Sequence, residues 1–161
     1  MSFYTALSES QFFDAARTGD LAFINQRISA NINVNLQDEK GFTALTLATY
    51  NNHADVVKAL LKAGADINLK DASGNTPLMG ISFKGYTDLV QLLIDSGADL
   101  NSQNGNGNTA LMFATMFGQN QIVSLLLENG ADKSIRDARG LTAADYAIQK
   151  ENTEALQLLQ K

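Results

Sequence analysis

The first candidate for chemistry is Gly105-Asn106-Gly107-Asn108-Thr109-Ala110, which fits the G-x-G-x-x-A pattern of dinucleotide-holding loops. That pattern works where a buried strand feeds a tight turn and a helix N-terminus receives the pyrophosphate. Here the preceding Asn101-Ser102-Gln103 is polar, and glycines recur at Gly41, Gly74 and Gly140, so a repeated turn accounts for the match. His53 is the sole histidine; a catalytic or metal role needs partners converging on it, and the sequence supplies none. Aspartates at Asp38, Asp71 and Asp137, and at Asp66, Asp99 and Asp132, would matter as acid–base pairs if two of them faced one bond. They recur once per interval along the chain, which keeps them apart, and turn and cap formation explains them. With no cysteine, one histidine and no Gly-x-Ser-x-Gly, no nucleophile is paired with a base. The chain therefore reads as no enzyme, with no catalytic residues, no metal ligands and no cofactor.

Charge narrows the partners. A net charge of -5 and a pI of about 4.7 argue against nucleic acid, which calls for a basic stripe, and against an anionic membrane surface. The chain has 161 residues, 45% hydrophobic and 18% charged, enough to build one domain with a core. Its first residues, MSFYTALSES, lack the basic and apolar regions of a signal peptide, and no apolar run is long enough to span a bilayer. The absence of cysteine fits a reducing compartment, and a cytoplasmic location is expected.

The elements that position these residues follow from a repeat. Asp71 to Gln103 reads DASGNTPLMGISFKGYTDLVQLLIDSGADLNSQ. Asp38 to Lys70 gives DEKGFTALTLATYNNHADVVKALLKAGADINLK, and Asn104 to Arg136 gives NGNGNTALMFATMFGQNQIVSLLLENGADKSIR. Thr43, Thr76 and Thr109 stand where a hydroxyl can cap a helix, and Pro77 suits a first helical turn. Asn52, Gly85 and Gly118 are expected to end the first helix of each unit, and Gly64, Gly97 and Gly130 the second. Val56, Val57, Leu60 and Leu61 form an apolar stripe echoed by Leu89, Val90, Leu93 and Ile94, then by Ile122, Val123, Leu126 and Leu127. In the first unit a capping box from Ser8 to Gln11 predicts a helix starting near Ser8. Gly80-Ile81 replaces Leu47-Ala48 and Phe113-Ala114: a helical glycine costs about 1 kcal/mol against alanine, which points to a weaker or shifted helix, and the milder reading is neutral repacking with the isoleucine refilling the volume. Gln160 stands where the other units have leucine or isoleucine, which suits a water-facing last helix and an array complete at both ends.

The 33-residue period from Asp38 to Asp71, with the tetrapeptide Thr76-Pro77-Leu78-Met79, resembles the ankyrin repeat, and the likeness covers nearly the whole chain. The resemblance implies an all-α fold: an ankyrin-repeat solenoid of stacked helix-turn-helix units with short β-hairpin fingers. It implies a single ankyrin-repeat domain over 1–161, with repeats 5–37, 38–70, 71–103, 104–136 and 137–161, the first and last acting as caps. It further implies a protein partner bound on the fingers and on a concave face of inner helices. Carried over position by position, partner-binding residues are Lys40, Phe42, Tyr50, Asn51, Phe83, Lys84, Met116, Phe117 and Arg139. Tyr50, Phe83 and Met116 share one register, and aromatic residues are common anchors. Thr46, Met79 and Met112 replace the histidine usual in the family's tetrapeptide; with Phe42 they would form an apolar strip if exposed, and Met79 and Met112 are read instead as packing residues. The asparagine-rich segment from Asn101 to Asn108 is read as turn chemistry. These readings converge on a monomeric, non-catalytic protein–protein interaction module, a small stand-alone adaptor or inhibitor whose partner is unidentified. The alternative is a small-molecule-binding protein or enzyme using a pocket in the concave groove near Tyr50, Met79, Phe83 and Met112.

Overall fold

Threonine hydroxyls start the inner helices. The computed structural model describes the backbone of residues 3–161 and the side chains from Ser8 onward; Met1 and Ser2, the first residues of the 1–161 domain expected above, lie outside the described residues. Helices α3 (Ala44–Tyr50), α5 (Pro77–Ser82), α7 (Ala110–Met116) and α9 (Ala143–Gln149) follow Thr43, Thr76, Thr109 and Thr142. Each hydroxyl accepts the backbone N–H three residues on, at 3.0 Å for Thr46 and 3.3 Å for Met79, Met112 and Asp145. Asp145 returns the bond to the Thr142 N–H at 2.8 Å, completing a capping box. Left-handed residues then stop the helices: Asn52 at φ +61°, Gly85 at +82° and Gly118 at +70°.

A second helix follows each of these. The remaining elements are α1 (Phe3–Thr18), α2 (Leu21–Ser29), α4 (Ala54–Lys62), α6 (Thr87–Asp95), α8 (Asn120–Glu128) and α10 (Thr153–Gln160). Val56, Val57 and Leu60, with their equivalents Leu89, Val90, Leu93, Ile122, Val123 and Leu126, are buried, whereas Leu61, Ile94 and Leu127 are half-buried. Helices α1, α3, α5, α7 and α9 pack on one another in chain order, and α2, α6 and α8 pack on α4, α8 and α10. No single pair encloses its own apolar stripe, so the core runs through the stack.

Polar ladders repeat with the helices. The Asn35, Asn68 and Asn101 side chains each accept the backbone N–H of the next unit's aspartate, Asp66, Asp99 and Asp132, at 2.8 Å. Gln37, Lys70 and Gln103 each donate to the carbonyl of Lys70, Gln103 and Arg136, one unit on. The asparagines thus tie units together as well as forming turns.

Two expectations need correction. Among the described residues there are helices and turns but no strand, so the β-hairpin fingers are closed turns. In each finger one side-chain oxygen takes two backbone N–H groups, as Asp71 Oδ1 does from Ser73 at 2.8 Å and Asn75 at 2.9 Å. Donors engaged locally are lost to a strand ladder. Neighbouring tips share one backbone bond, from Ala72 to Lys40, Gly105 to Ser73 and Ala138 to Asn106. The second correction concerns Ser8, which lies inside α1 and not ahead of it. Tyr4 to Leu7 hold no helix breaker, so the helix propagates past the hydroxyl, and Ser8 has no free first-turn N–H to cap. At Gly80-Ile81, α5 stops at Ser82, and the Lys84 N–H closes a tighter turn on the Ile81 carbonyl at 3.0 Å.

Candidate functional site

The residues expected to bind follow buried hydroxyls. Thr49, Ser82 and Thr115 donate back to the carbonyls of Leu45, Leu78 and Leu111, and Tyr50, Phe83 and Met116 come next in the chain. Tyr50 is 41% exposed there, and Phe83 half-exposed. Their rings meet edge to face with centroids 5.9 Å apart. Because α5 ends a residue early, Phe83 is its C-cap, and its ring lies 5.2 Å from that of Phe117, one position beyond the register of Met116. Phe117 is 57% exposed, while Met116 is half-buried against the core. The aromatic row is therefore Tyr50, Phe83 and Phe117. Lys84 Nζ sits 3.8 Å over the Tyr50 ring, a cation–π contact at the edge of this row.

Other expected residues are distributed differently. Phe42 is half-buried at the foot of its finger, beside Tyr50. Asn51 spends its amide on the Leu47 carbonyl at 2.8 Å, sealing the end of α3. Lys40 is exposed on the first finger, at the far end of the array from Arg139 on the last. Arg139 donates to the Tyr146 hydroxyl at 2.6 Å and lies 3.6 Å from Asp137, so its guanidinium is tied into its own unit. Met79 and Met112 are each 1% exposed and belong to the core. They line no groove, which moves the expected pocket toward the fingers.

That pocket has a volume of about 360 Å³ and is walled by Phe42, Thr46, Tyr50 and Phe83, with Asp71 and Gly80 among its remaining lining. Gly80 creates it: the matching positions hold Leu47, Phe113 and Tyr146, whereas a Cβ on Gly80 would approach only Tyr50, at 3.9 Å. Sequence reasoning treated this glycine as a weak point of a helix and did not see the space it opens. It also passed over Ile148, 61% exposed where the other units place the buried Thr49, Ser82 and Thr115. An isoleucine in a register of hydroxyls was the available signal.

The other groups singled out by their chemistry are hydrogen-bonded within the fold. Gly107 lies in a finger turn at φ +76°, and Thr109 already caps the helix that follows. His53 Nε2 is 3.0 Å from the Arg17 carbonyl, and Gln119, in the same register, donates to the Phe83 carbonyl at 2.8 Å. Hydrogen bonds from the Tyr146 hydroxyl, foremost, and from the Leu141 and Arg139 amides hold the Asp137 carboxyl below the ordinary aspartate range. Backbone and side-chain donors do the same for Asp99, Asp132 and Asp145. Such carboxylates stay ionised and are weak bases near neutrality. Among the described residues no three His, Cys, Asp or Glu side chains cluster as a metal site. What the geometry can do is receive apolar and aromatic groups on the row and in the pocket.

A family model described as ankyrin repeats (3 copies) matches residues 12–104 and 79–161. No curated protein matches the chain.

Proposed function

Because the chain belongs to the ankyrin-repeat family, whose members are generally protein–protein interaction modules and typically non-catalytic, we propose that it is a small adaptor or inhibitor that docks a protein partner between its inner helices and fingers. The observation that carries this reading is the contiguous row of exposed Tyr50, half-exposed Phe83 and exposed Phe117, three large aromatic side chains on successive units. Exposed aromatics that touch one another are the surface from which interface anchors are drawn. Lys84 and Phe42 flank the row and belong to the same face, with Lys40 and Arg139 on the outermost fingers. On this reading residues 1–161 form one domain with repeats 5–37, 38–70, 71–103, 104–136 and 137–161, working as a cytoplasmic monomer. The acidic balance of -5 disfavours nucleic acid as the partner, and no helix among the described residues is long and apolar enough to cross a membrane.

The test is affinity capture from native lysate beside a Tyr50→Ala/Phe83→Ala/Phe117→Ala variant whose fold is first confirmed by circular dichroism. A protein retained by the wild type and lost with the variant supports the row as the docking face. The same protein retained by both moves docking elsewhere. If no protein is retained, the pocket beside Gly80 favours the second reading, a small-molecule-binding protein or enzyme.

A further inference from the structure

The repeat lets one unit show what another would accept. In the fifth unit Tyr146 is 4% exposed and packs between the fourth finger and its own. Its hydroxyl donates to Asp137 Oδ2 at 2.5 Å and receives the Asn108 amide at 3.3 Å and the Arg139 guanidinium, matched by Ser73 two units back, at 2.6 Å, while the Asn108 amide also lies 3.7 Å from the Met112 sulfur. Moving back two periods of 33 residues carries Asn108 to Phe42, Met112 to Thr46, Asp137 to Asp71 and Tyr146 to Gly80. All four of these residues line the 360 Å³ pocket. The pocket is therefore the site that Tyr146 fills for itself in the fifth unit, opened in the third by glycine and widened where Thr46 replaces methionine.

Two features where the second and third units meet keep that chemistry. Asp71 Oδ1 is occupied by the Ser73 and Asn75 amides, but Oδ2 has only a long 3.4 Å contact from the Asn75 side chain, where the matching Asp137 oxygen holds a phenol. Tyr50 and Phe83, meanwhile, surround the space with aromatic surface, as Phe42 does from the finger. An apolar cavity of this size, with one acceptor aimed at a hydroxyl's position, selects an aromatic ring with a donor at its tip. We propose that the pocket beside Gly80 is the docking site for a tyrosine side chain of the partner protein, its ring seated among Phe42, Tyr50 and Phe83 and its hydroxyl donating to Asp71. This rests on the protein-binding reading and names the group by which the partner is gripped. The hydroxyl discriminates because phenylalanine would desolvate the carboxylate without pairing it.

The test uses the full chain and blocked amino acids, N-acetyl-tyrosinamide and N-acetyl-phenylalaninamide, titrated while backbone amide resonances are followed by NMR. The tyrosine amide is expected to shift the resonances around Tyr50, Gly80 and Phe83, and the phenylalanine amide to bind about tenfold more weakly. Asp71→Asn should remove most of that difference. Its turn is preserved, since Asn104 accepts the same pair of backbone amides in the fourth unit, at 3.0 and 2.9 Å. Gly80→Leu, which restores the residue type found at position 47, should abolish both titrations; if it does not fold, Asp71→Asn decides alone. Equal binding of the two amides, an unaltered preference in Asp71→Asn, shifts that survive in a folded Gly80→Leu, or no shifts at all would each overturn the proposal. Because the probes need no partner, their failure beside a successful lysate capture sinks the tyrosine pocket and leaves the aromatic row. Binding of the tyrosine amide with no protein captured would overturn docking and assign the pocket to a free phenolic compound.

Discussion

Gly97 and Gly80 differ in what a side chain would meet, and so in what their replacement should do. Gly97 ends α6 at φ +89° with nothing within 4 Å of the point a Cβ would occupy, so any cost there comes from the backbone alone. Valine at this left-handed position is expected to destabilise the protein by about 1–3 kcal/mol. Gly80 lies within α5 with helical backbone and open space beside it, so alanine there should stabilise by about 0.5–1 kcal/mol. Urea denaturation of Gly97→Val and Gly80→Ala should thus move the midpoint in opposite directions with an unchanged slope. An unmoved midpoint for Gly97→Val would contradict the strain argument. Residues of this kind show how legible the sequence was. The left-handed stops at Asn52, Gly85, Gly97 and Gly118 were readable because few residues tolerate that conformation. The pocket was not readable, because a missing side chain reveals its consequence only when Phe42, Tyr50 and Phe83 are placed around it.

At the scale of the element, α9 and its finger are joined by a charge. Tyr146, on α9, donates to Asp137, on the finger, while Thr142 and Asp145 lock the helix start between them. The hydrogen bond depresses the folded Asp137 pKa below its unfolded value. The stabilisation it contributes is then fully present above the unfolded pKa of about 3.9, and is lost as pH falls through the lower folded value. Tyr146→Phe should cost about 1–2 kcal/mol at pH 7 by leaving the carboxylate short of a donor. The same variant should lose less stability than the wild type between pH 4 and pH 2, as thermal melts across that range would record. Parallel curves would mean that the pair does not titrate with folding. Finger chemistry of this sort explains why the sequence suggests hairpins where the chain forms closed turns. Asp38, Asp71 and Asp137 announce a tight turn in sequence, but their oxygens take the very amides a strand would need. For α1 the local signal at Ser8 lost to propagation of the helix from upstream.

Across the whole molecule stability is a chain of neighbour terms, with the apolar core running through all units and the Asn35, Asn68 and Asn101 bonds linking the first four in series. Position in the stack should then decide how far a cavity is felt. Leu93, fully buried in α6, lies mid-array with units on both sides, whereas Leu159 in α10 is 4% exposed and belongs to the last pair. Leu93→Ala is expected to cost about 2–5 kcal/mol and Leu159→Ala to fall at or below the lower end of that range. Hydrogen exchange should separate them more sharply than the melts. Alanine at 93 should weaken protection in α3, α5, α7 and α8 together, because both interfaces of the third unit loosen. Alanine at 159 should release α9 and α10 while α3 to α5 keep their protection. Uniform loss of protection in both variants would show one all-or-none unit, and would require coupling that reaches beyond adjacent repeats. The graded outcome also bears on recognition: the row from Tyr50 to Phe117 spans the second to fourth units, so loosening at 93 would disturb the docking face and loosening at 159 would spare it.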